Sequence, residues 1–202
     1  MLLVVGLGNP GGEHANNRHN IGFMAADAIV RRHSFSDWKS KFQGEISEGR
    51  IGTEKVLVLK PLTYMNESGR AVAEAVNFYK LDAQDVVVLY DEIDLAAGKV
   101  RAKKGGGHAG HNGIRSLISH ISADFMRVRL GVGHPGEKDR VVGHVLSDFR
   151  KDDKIWVSAL LDAISEHLDR LAEGDLPGFM TAVSRDAPPP KQEQEPKKEK
   201  DK

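Results

Sequence analysis

The sequence predicts an α/β domain in which a mixed, mostly parallel twisted sheet is flanked by helices. Two observations lead to this prediction: short apolar segments alternate with segments of helical periodicity, and polar residues follow the ends of the apolar segments. At 202 residues, of which 40% are hydrophobic, the chain is long enough for one domain with a single sizeable core. We expect residues 1–185 to form that domain.

The apolar segments predict strands, and the periodic segments predict helices. Strands are expected over residues 2–6, 55–59, 85–89 and 127–132. Helices are expected over residues 21–32, about 67–79, 115–121 and 152–172. In sheets of this kind, ligands bind at the carboxyl ends of the strands. Asn9 and Asp91 both follow such ends, so we expect a site there.

Residues 186–202 differ from the rest of the chain in composition. Three prolines are followed almost wholly by Lys, Gln and Glu, which cannot bury enough apolar surface to offset the entropy lost on ordering. We expect a disordered charged tail. The tail carries five Lys and five acidic residues, so the net charge of zero is the same with or without it.

The composition also restricts the chemistry and the compartment. The chain has no cysteine, which excludes disulfides, thiol nucleophiles and cysteine-ligated zinc, and which fits a reducing compartment. Its first residues lack a basic leader, and their apolar run is too short for a signal core or a membrane span. We therefore expect a soluble cytoplasmic protein.

A glycine-rich turn follows the first predicted strand. Residues 6–11 satisfy the G-x-G-x-x-G pattern, so a nicotinamide-dependent oxidoreductase is one alternative. Its context differs from that of a dinucleotide site, because Pro10 disfavours helical geometry at Asn9 and helical periodicity begins only around Asn20. The turn instead leads to His19, whose imidazole can take a proton from water if another group fixes its tautomer.

Two other kinds of site are disfavoured by the residues present. His108 and His111 are three positions apart, a spacing that on a helix would direct two imidazoles at a metal ion. Five glycines between residues 105 and 113 indicate a loop instead, and no carboxylate-rich set accompanies it, so we expect no metal. A serine hydrolase is disfavoured because the chain has no G-x-S-x-G motif.

Basic residues cluster immediately before the glycines at 105–107, and two arginines lie on a later predicted strand. A local patch of this kind can hold phosphates, and a glycine-rich loop before a helix presents backbone amides to anions. The alternative is a solvated strand edge, because lysines commonly protect edges from pairing. The residues are Lys99, Arg101, Lys103, Lys104, Arg127 and Arg129.

Several motifs, taken in order, closely resemble those of the bacterial peptidyl-tRNA hydrolases. They cover most of the chain except the tail, and their joint occurrence is much more specific than any one of them. They comprise residues 6–11, Arg18-His19-Asn20, and residues 61–69, 91–95, 105–113, 131–136 and 142–146.

The resemblance implies a single α/β domain that hydrolyses the ester between a peptide and the terminal ribose of tRNA. It implies no metal and no cofactor, and we expect a monomer. It implies that His19 is the general base that activates water and that Asp91 orients its ring and stabilises the imidazolium. We therefore expect a ring nitrogen of His19 within hydrogen-bond reach of Asp91. The resemblance assigns Asn66 to the positioning of water and substrate, with possible contact to the oxyanion.

The resemblance also implies which residues bind the substrate. Asn9 and Asn112 are expected to grip the peptide and the ester end, and Asn9 to favour a blocked α-amino group. Tyr64 and His14 are expected at the tRNA end, although His14 stands where the family usually has tyrosine. Two further departures are Asn17 in place of threonine and Tyr90 in place of a frequent histidine.

A tRNA partner would explain the cluster of basic residues, because such residues can bind the phosphates of the acceptor stem. The residues expected to do so are Lys99, Arg101, Lys103, Lys104 and Arg129. Lys103 and Arg129 are the preferred candidates. Two other classes remain open on the sequence: a non-catalytic RNA-binding module and a nicotinamide-dependent oxidoreductase. A splicing-related relative is disfavoured by the intact set of His19, Asp91 and Asn66.

Overall fold

A seven-stranded sheet forms the centre of the protein, whose computed structural model describes residues 1–191. The strands lie in the order β2-β3-β4-β1-β5-β7-β6. Strands β4, β1, β5 and β7 run parallel, while β2, β3 and β6 are antiparallel to their neighbours, which confirms the predicted mixed sheet. Their bounds are β1 Leu2–Gly6, β2 Lys39–Lys41, β3 Gly44–Ile51, β4 Glu54–Pro61, β5 Val86–Glu92, β6 Val100–Lys104 and β7 Met126–Gly131.

Helices cover both faces of the sheet. Helices α2 and α3 pack on one face around an apolar cluster, and α1, α5, α6 and α7 pack on the other around a second cluster. No helix within residues 1–191 combines the length and the apolar character needed to cross a membrane. The bounds are α1 Ile21–Arg32, α2 Ser68–Tyr79, α3 Asn112–Ile121, α4 Val141–Val145, α5 Asp153–Glu166, α6 Leu168–Ala172 and α7 Leu176–Asp186.

Two glycines let α1 lie directly on the sheet. A Cβ built at Gly6 would lie 2.2 Å from the carbonyl oxygen of Gly22, and one built at Gly22 would lie 2.3 Å from that of Leu89. Both positions therefore exclude any side chain. The helix itself begins ten residues beyond Gly11, after two short helical turns, so the glycine pattern serves strand–helix packing rather than the helix start of a dinucleotide site.

The structure corrects several element predictions. Strands β2 and β3 were not expected, because the alternation in residues 44–51 is weak and the segment carries polar residues on both faces. Strand β6, which holds the cluster of lysines, forms one edge of the sheet. The expected helix over 152–172 is interrupted at His167, where the backbone leaves helical geometry.

Helix α7 was also not expected, because Asp175-Leu176-Pro177-Gly178 resembles a loop in sequence. In the structure, the Asp175 side chain caps this helix by accepting from the Gly178 amide at 2.9 Å. The interruption at His167 lets α7 fold back onto α5 and β6. His167 Nε2 lies 2.6 Å from Asp186 Oδ2 and links the start of α6 to the end of α7.

The chain remains in contact with the domain just beyond α7. Ala187 is buried, and a Cβ built at Gly98 would lie 2.8 Å from Pro190 Cδ. The charged segment predicted as a disordered tail falls mostly on residues 192–202, which lie outside the described residues.

Candidate active site

His19 and Asp91 meet at the carboxyl ends of two neighbouring strands. His19 lies in the short helical turn Arg18–Asn20 that precedes α1, and Asp91 is near the end of β5. His19 Nδ1 is 2.9 Å from Asp91 Oδ1 and 2.8 Å from Oδ2, in agreement with the geometry expected from the sequence. The other ring nitrogen, Nε2, has no hydrogen-bond partner among residues 1–191, which leaves it available to the adjoining cavity.

Arg18 holds the turn that carries His19. Its guanidinium is mostly buried and donates from Nη1 to the Ser147 hydroxyl at 2.7 Å and to the Asp148 carbonyl at 2.8 Å. The neighbouring Asn17 amide donates to Asp148 Oδ1 at 2.7 Å. The two residues therefore tie the His19 turn to the segment that follows α4.

A second histidine binds the same carboxylate. His111 Nε2 lies 2.8 Å from Asp91 Oδ1. Its Nδ1 accepts a hydrogen bond from the Ile114 amide at 3.3 Å, so His111 caps the start of α3. Because Nδ1 accepts, the proton of the neutral ring is on Nε2 and is donated to Asp91. The sequence singled out His111 only as a partner of His108 in a metal site. His108 instead accepts from the Gly110 amide within its own loop.

Asp91 is held as a carboxylate in a nearly dry site. Its side chain is 2% exposed, and burial alone would raise its pKa. The contacts with His111 and His19 outweigh burial, and they hold the pKa of Asp91 well below its usual range. The charged form therefore persists at neutral pH and can stabilise an imidazolium at His19.

This depressed pKa predicts how stability depends on pH. The contribution of the ionised Asp91 is fully present above the pKa of an unfolded aspartate, about 4, and is lost as the pH falls below it. We expect Asp91→Asn to destabilise the protein most near neutrality, with the difference from wild type narrowing between about pH 5 and pH 2. Urea unfolding at several pH values measures this, and a difference independent of pH would contradict it.

Asn9 is fixed so that it presents an amide donor. Its backbone is bound on both sides by the Asn20 side chain, with Asn9 N donating to Oδ1 and Asn20 Nδ2 donating to the Asn9 carbonyl, each at 2.9 Å. Asn9 Oδ1 accepts from the Met65 amide at 2.9 Å, so its NH₂ group is left to face the cavity. Asn20, which sequence reasoning did not assign to the site, therefore orients Asn9.

The site opens into a cavity of about 750 Å³. Six of the residues assigned to catalysis or substrate binding from the sequence line it: Asn9, His19, Tyr64, Asn66, Asp91 and Asn112. Tyr64 is 70% exposed at the rim. Asn66 lies in the short turn Met65–Glu67, and Asn112 is the first residue of α3, where its Oδ1 accepts from Arg115 at 3.2 Å.

An apolar wall faces these polar groups across the cavity. It is formed by α4 and the residue after it, and sequence reasoning gave it no role although the segment belongs to a recognised motif. Val142 is 67% exposed and Leu146 is 40% exposed, so both present apolar surface beside the cavity that they line. The wall comprises Val141, Val142, Val145 and Leu146. The lining is completed by Met65, Glu92, Ile93, Ala109, Gly110, His111, His134 and Lys138.

His14 does not line this cavity. Its Nδ1 lies 3.0 Å from Asn17 Oδ1, and Asn17 in turn binds Asp148. The two departures from the family pattern at these positions are therefore hydrogen-bonded to each other. The structure places His14 beside Asn17, which ties the His19 turn to Asp148, and not beside His19 and Asp91.

The predicted phosphate-binding residues lie on the edge strand β6 and on β7, except Lys99, which immediately precedes β6. In the antiparallel register, Arg101 faces Arg129 and Lys103 faces Arg127. Lys99, Arg101, Lys103 and Lys104 are exposed, whereas Arg129 Nη1 is 3.4 Å from Glu92 Oε1.

The described residues contain one group that could hold a metal ion, and it coincides with the proposed base. One ligand atom from each of His19, Asp91 and His111 lies within 4.8 Å of the others. Both histidines direct a ring nitrogen at the Asp91 carboxylate at hydrogen-bond distances of 2.8–2.9 Å. The donor set is therefore satisfied by hydrogen bonds without an ion.

Comparison with known proteins gives a consistent result. A family model described as peptidyl-tRNA hydrolase matches residues 3–193. The peptidyl-tRNA hydrolase of Parvibaculum lavamentivorans is 61% identical over 203 residues, which cover 100% of this chain and 98% of that protein. That of Chelativorans sp. is 59% identical over 184 residues, which cover 91% of this chain and 77% of that protein.

A solved structure of a peptidyl-tRNA hydrolase has the same fold as this chain. The crystal structure of peptidyl-tRNA hydrolase from Acinetobacter baumannii matches with a TM-score of 0.87 and 37% identity, and the match covers 93% of this chain and 96% of that chain. The chain therefore belongs to the peptidyl-tRNA hydrolase family.

Proposed function

We propose that this protein hydrolyses the ester bond between a peptide and tRNA, with His19 as the general base. The observation that carries the proposal is the His19–Asp91 pair, in which Nδ1 is bound to a buried carboxylate and Nε2 is left to an open cavity. This is the arrangement in which an imidazole takes a proton from water. Family membership supports the choice of substrate. Such a substrate also favours a cytoplasmic location.

The reaction follows from the positions of these groups. Water attacks the ester carbonyl carbon while His19 Nε2 accepts one of its protons, and Asp91 stabilises the resulting imidazolium through Nδ1. The tetrahedral intermediate then collapses, the bond to the ribose oxygen breaks, and the imidazolium returns the proton to that oxygen. The acyl product is released as a carboxylic acid, which loses the second proton of the water to solvent. The products are therefore a free peptide carboxylate and tRNA with a free terminal hydroxyl.

Uncharged amides are suited to the developing oxyanion. Asn66 and Asn112 both line the cavity, and neither amide carries a charge that would change the titration of the base. Asn66 makes no side-chain hydrogen bond within residues 1–191, so it is free to donate to water or to the carbonyl oxygen. Asn112 and Tyr64 then contact the ester end of the substrate.

Asn9 accounts for a preference for blocked substrates. Because its Oδ1 is taken by the Met65 amide, it offers an N–H donor to the ligand. The acyl group on a blocked α-nitrogen supplies a carbonyl acceptor for that donor, whereas a free α-ammonium is itself a donor and cannot pair with it. Peptidyl-tRNA is therefore favoured over aminoacyl-tRNA.

A comparison of two esters tests the proposed function. We expect N-acetyl-aminoacyl-tRNA to be hydrolysed and unblocked aminoacyl-tRNA to be spared. Asn9→Ala should reduce this discrimination about 10-fold or more, because a donor matched to a substrate acceptor is removed. Binding of tRNA without release of the blocked amino acid would overturn the proposal and favour a non-catalytic RNA-binding module.

The basic residues of β6 and β7 are proposed to bind acceptor-stem phosphates. Their effect should be electrostatic and indifferent to base sequence. We expect Lys103→Gln to raise KM several-fold with little change in kcat, and to lower the salt dependence of binding by about one unit of slope. Arg129→Gln should have a smaller effect, because Glu92 already pairs with Arg129.

Titration of labelled tRNA at several salt concentrations measures these slopes. Lys39→Gln is the matched control, since Lys39 is equally exposed but lies on β2 at the opposite edge of the sheet. Equal slopes for Lys103→Gln and Lys39→Gln would remove β6 from the tRNA-binding surface.

A further inference from the structure

Arg127 is a buried charge that the proposed reaction does not use. It lies on β7 with a relative exposure of 0%, although the sequence groups it with residues that bind phosphate. Its guanidinium donates to the carbonyl oxygens of Gly106 and Gly107, each at 2.5 Å, and lies 4.5 Å from the centre of the Phe125 ring. Within residues 1–191, no carboxylate pairs with this buried charge.

The two carbonyls belong to the loop between β6 and α3. This loop has little regular structure to hold it, and Gly105, Gly106, Ala109 and Gly110 all have positive φ. Apart from the bond from the Gly105 amide to the Phe125 carbonyl at 3.0 Å, the backbone hydrogen bonds of the loop are local, such as the bond from the His111 amide to the His108 carbonyl. The planar guanidinium thus donates from two nitrogens to two successive loop carbonyls and fixes their positions. A lysine ammonium cannot reproduce this geometry.

The loop ends at the residue that binds Asp91. Only three residues separate Gly107 from His111, whose Nε2 donates to Asp91 Oδ1. Arg127 also adjoins Tyr90, whose ring packs edge-on against His111 with centroids 5.1 Å apart. Burial raises the pKa of Tyr90 to about 12, so its hydroxyl remains protonated beside the guanidinium.

We propose that Arg127 is a positioning residue: it sets the glycine loop so that His111 holds Asp91, and it does not contact tRNA. The proposal rests on the proposed function, because it concerns the second hydrogen bond to the carboxylate of the catalytic pair. A shift of about 1 Å in a positioning group can lower a rate about 100-fold. Loss of a phosphate contact would instead weaken tRNA binding and raise KM.

The kinetic test separates these two roles. We expect Arg127→Lys to lower kcat about 10- to 100-fold, with KM and the salt slope of tRNA binding within about twofold of wild type. In a His111→Asn background, the same substitution should lower kcat by less than about twofold, because the group through which it acts is gone. Equal losses in both backgrounds, or an increase in KM with a reduced salt slope, would overturn the proposal.

A spectroscopic readout keeps this test independent of turnover. In ¹⁵N-edited spectra of the imidazoles, we expect Arg127→Lys to shift the His111 Nε2–H signal, whereas Arg101→Lys leaves it in place. An unshifted His111 signal in Arg127→Lys would contradict the proposal even if the rate fell. Failure of wild-type protein to release the blocked amino acid would refute the proposed function instead, and the His111 signal would still report on Arg127.

A second variant perturbs the loop while retaining the arginine. Gly106 has a φ of 111°, a conformation that residues with a side chain rarely adopt, so Gly106→Ala strains the loop backbone. We expect it to shift the His111 signal and lower kcat as Arg127→Lys does. Gly52→Ala is the matched control, since Gly52 also has positive φ but its Cβ would meet open space. Equal behaviour of the two glycine variants would overturn the proposal.

Discussion

Replacing His19 by alanine is expected to lower kcat on N-acetyl-aminoacyl-tRNA by about 10²- to 10⁴-fold, the range typical of a general base. The imidazole is 14% exposed and bridges a buried carboxylate and the cavity, whereas both ring nitrogens of His111, the other histidine on Asp91, are hydrogen-bonded. Binding of tRNA should change little, because the residues proposed to bind phosphate lie on β6 and β7, away from His19. Single-turnover release of the labelled amino acid, together with tRNA titration, measures both quantities.

His33→Ala is the control for this prediction. His33 follows the opposite end of α1 from His19, and its Nε2 lies 2.6 Å from the Ser165 carbonyl oxygen, away from the cavity. We expect its kcat to stay within about twofold of wild type. If His19→Ala retained the wild-type rate, another group would have to be the base.

Asp91→Asn is expected to lower kcat by about 10³-fold, although the two side chains have nearly the same shape. The carboxylate accepts hydrogen bonds from both His19 Nδ1 and His111 Nε2, whereas an amide presents one acceptor and one donor. One histidine must then lose its bond or change tautomer. If His19 changes, its proton moves to Nε2, the atom that must accept the proton of water.

The pH–rate profile and kcat of this variant measure the effect, with Asp124→Asn as an exposed control. An Asp91→Asn protein with a rate within about threefold of wild type would show that tautomer and charge at this position do not matter to the reaction. The associated loss of stability should be read from unfolding curves, so that the rate is compared for folded protein only.

Much of the fold could be predicted from the sequence because its central strands and first helices are strongly patterned. Strand β1 and helix α1 have the bounds expected from periodicity, since one is uniformly apolar and the other has a single apolar face. Strands β2, β3 and β6 lie towards the sheet edges, where polar residues are tolerated on both faces and the alternation becomes weak. Helix α7 begins with a proline and a glycine that suggest a loop.

The same reasoning explains which parts of the site were predictable. Asp91 lies at the carboxyl end of β5 and His19 in the connection that follows β1, and parallel topology brings such segments together. His111 was missed because it follows a glycine loop whose path depends on a buried arginine two strands from β1. Its nearest candidate partner in sequence, His108, suggested a metal instead. The apolar wall of α4 was missed because its residues have an ordinary core composition.

The measurement that tests the central claim most directly is a double-mutant cycle on His19 and Asp91, read as single-turnover release of N-acetyl-aminoacyl groups from tRNA. If Asp91 acts through the imidazole, Asp91→Asn should lower the release rate by less than about twofold in the His19→Ala background. The double variant should then be about as slow as His19→Ala alone. Multiplicative losses from the two substitutions would contradict a catalytic pair and would require two independent roles.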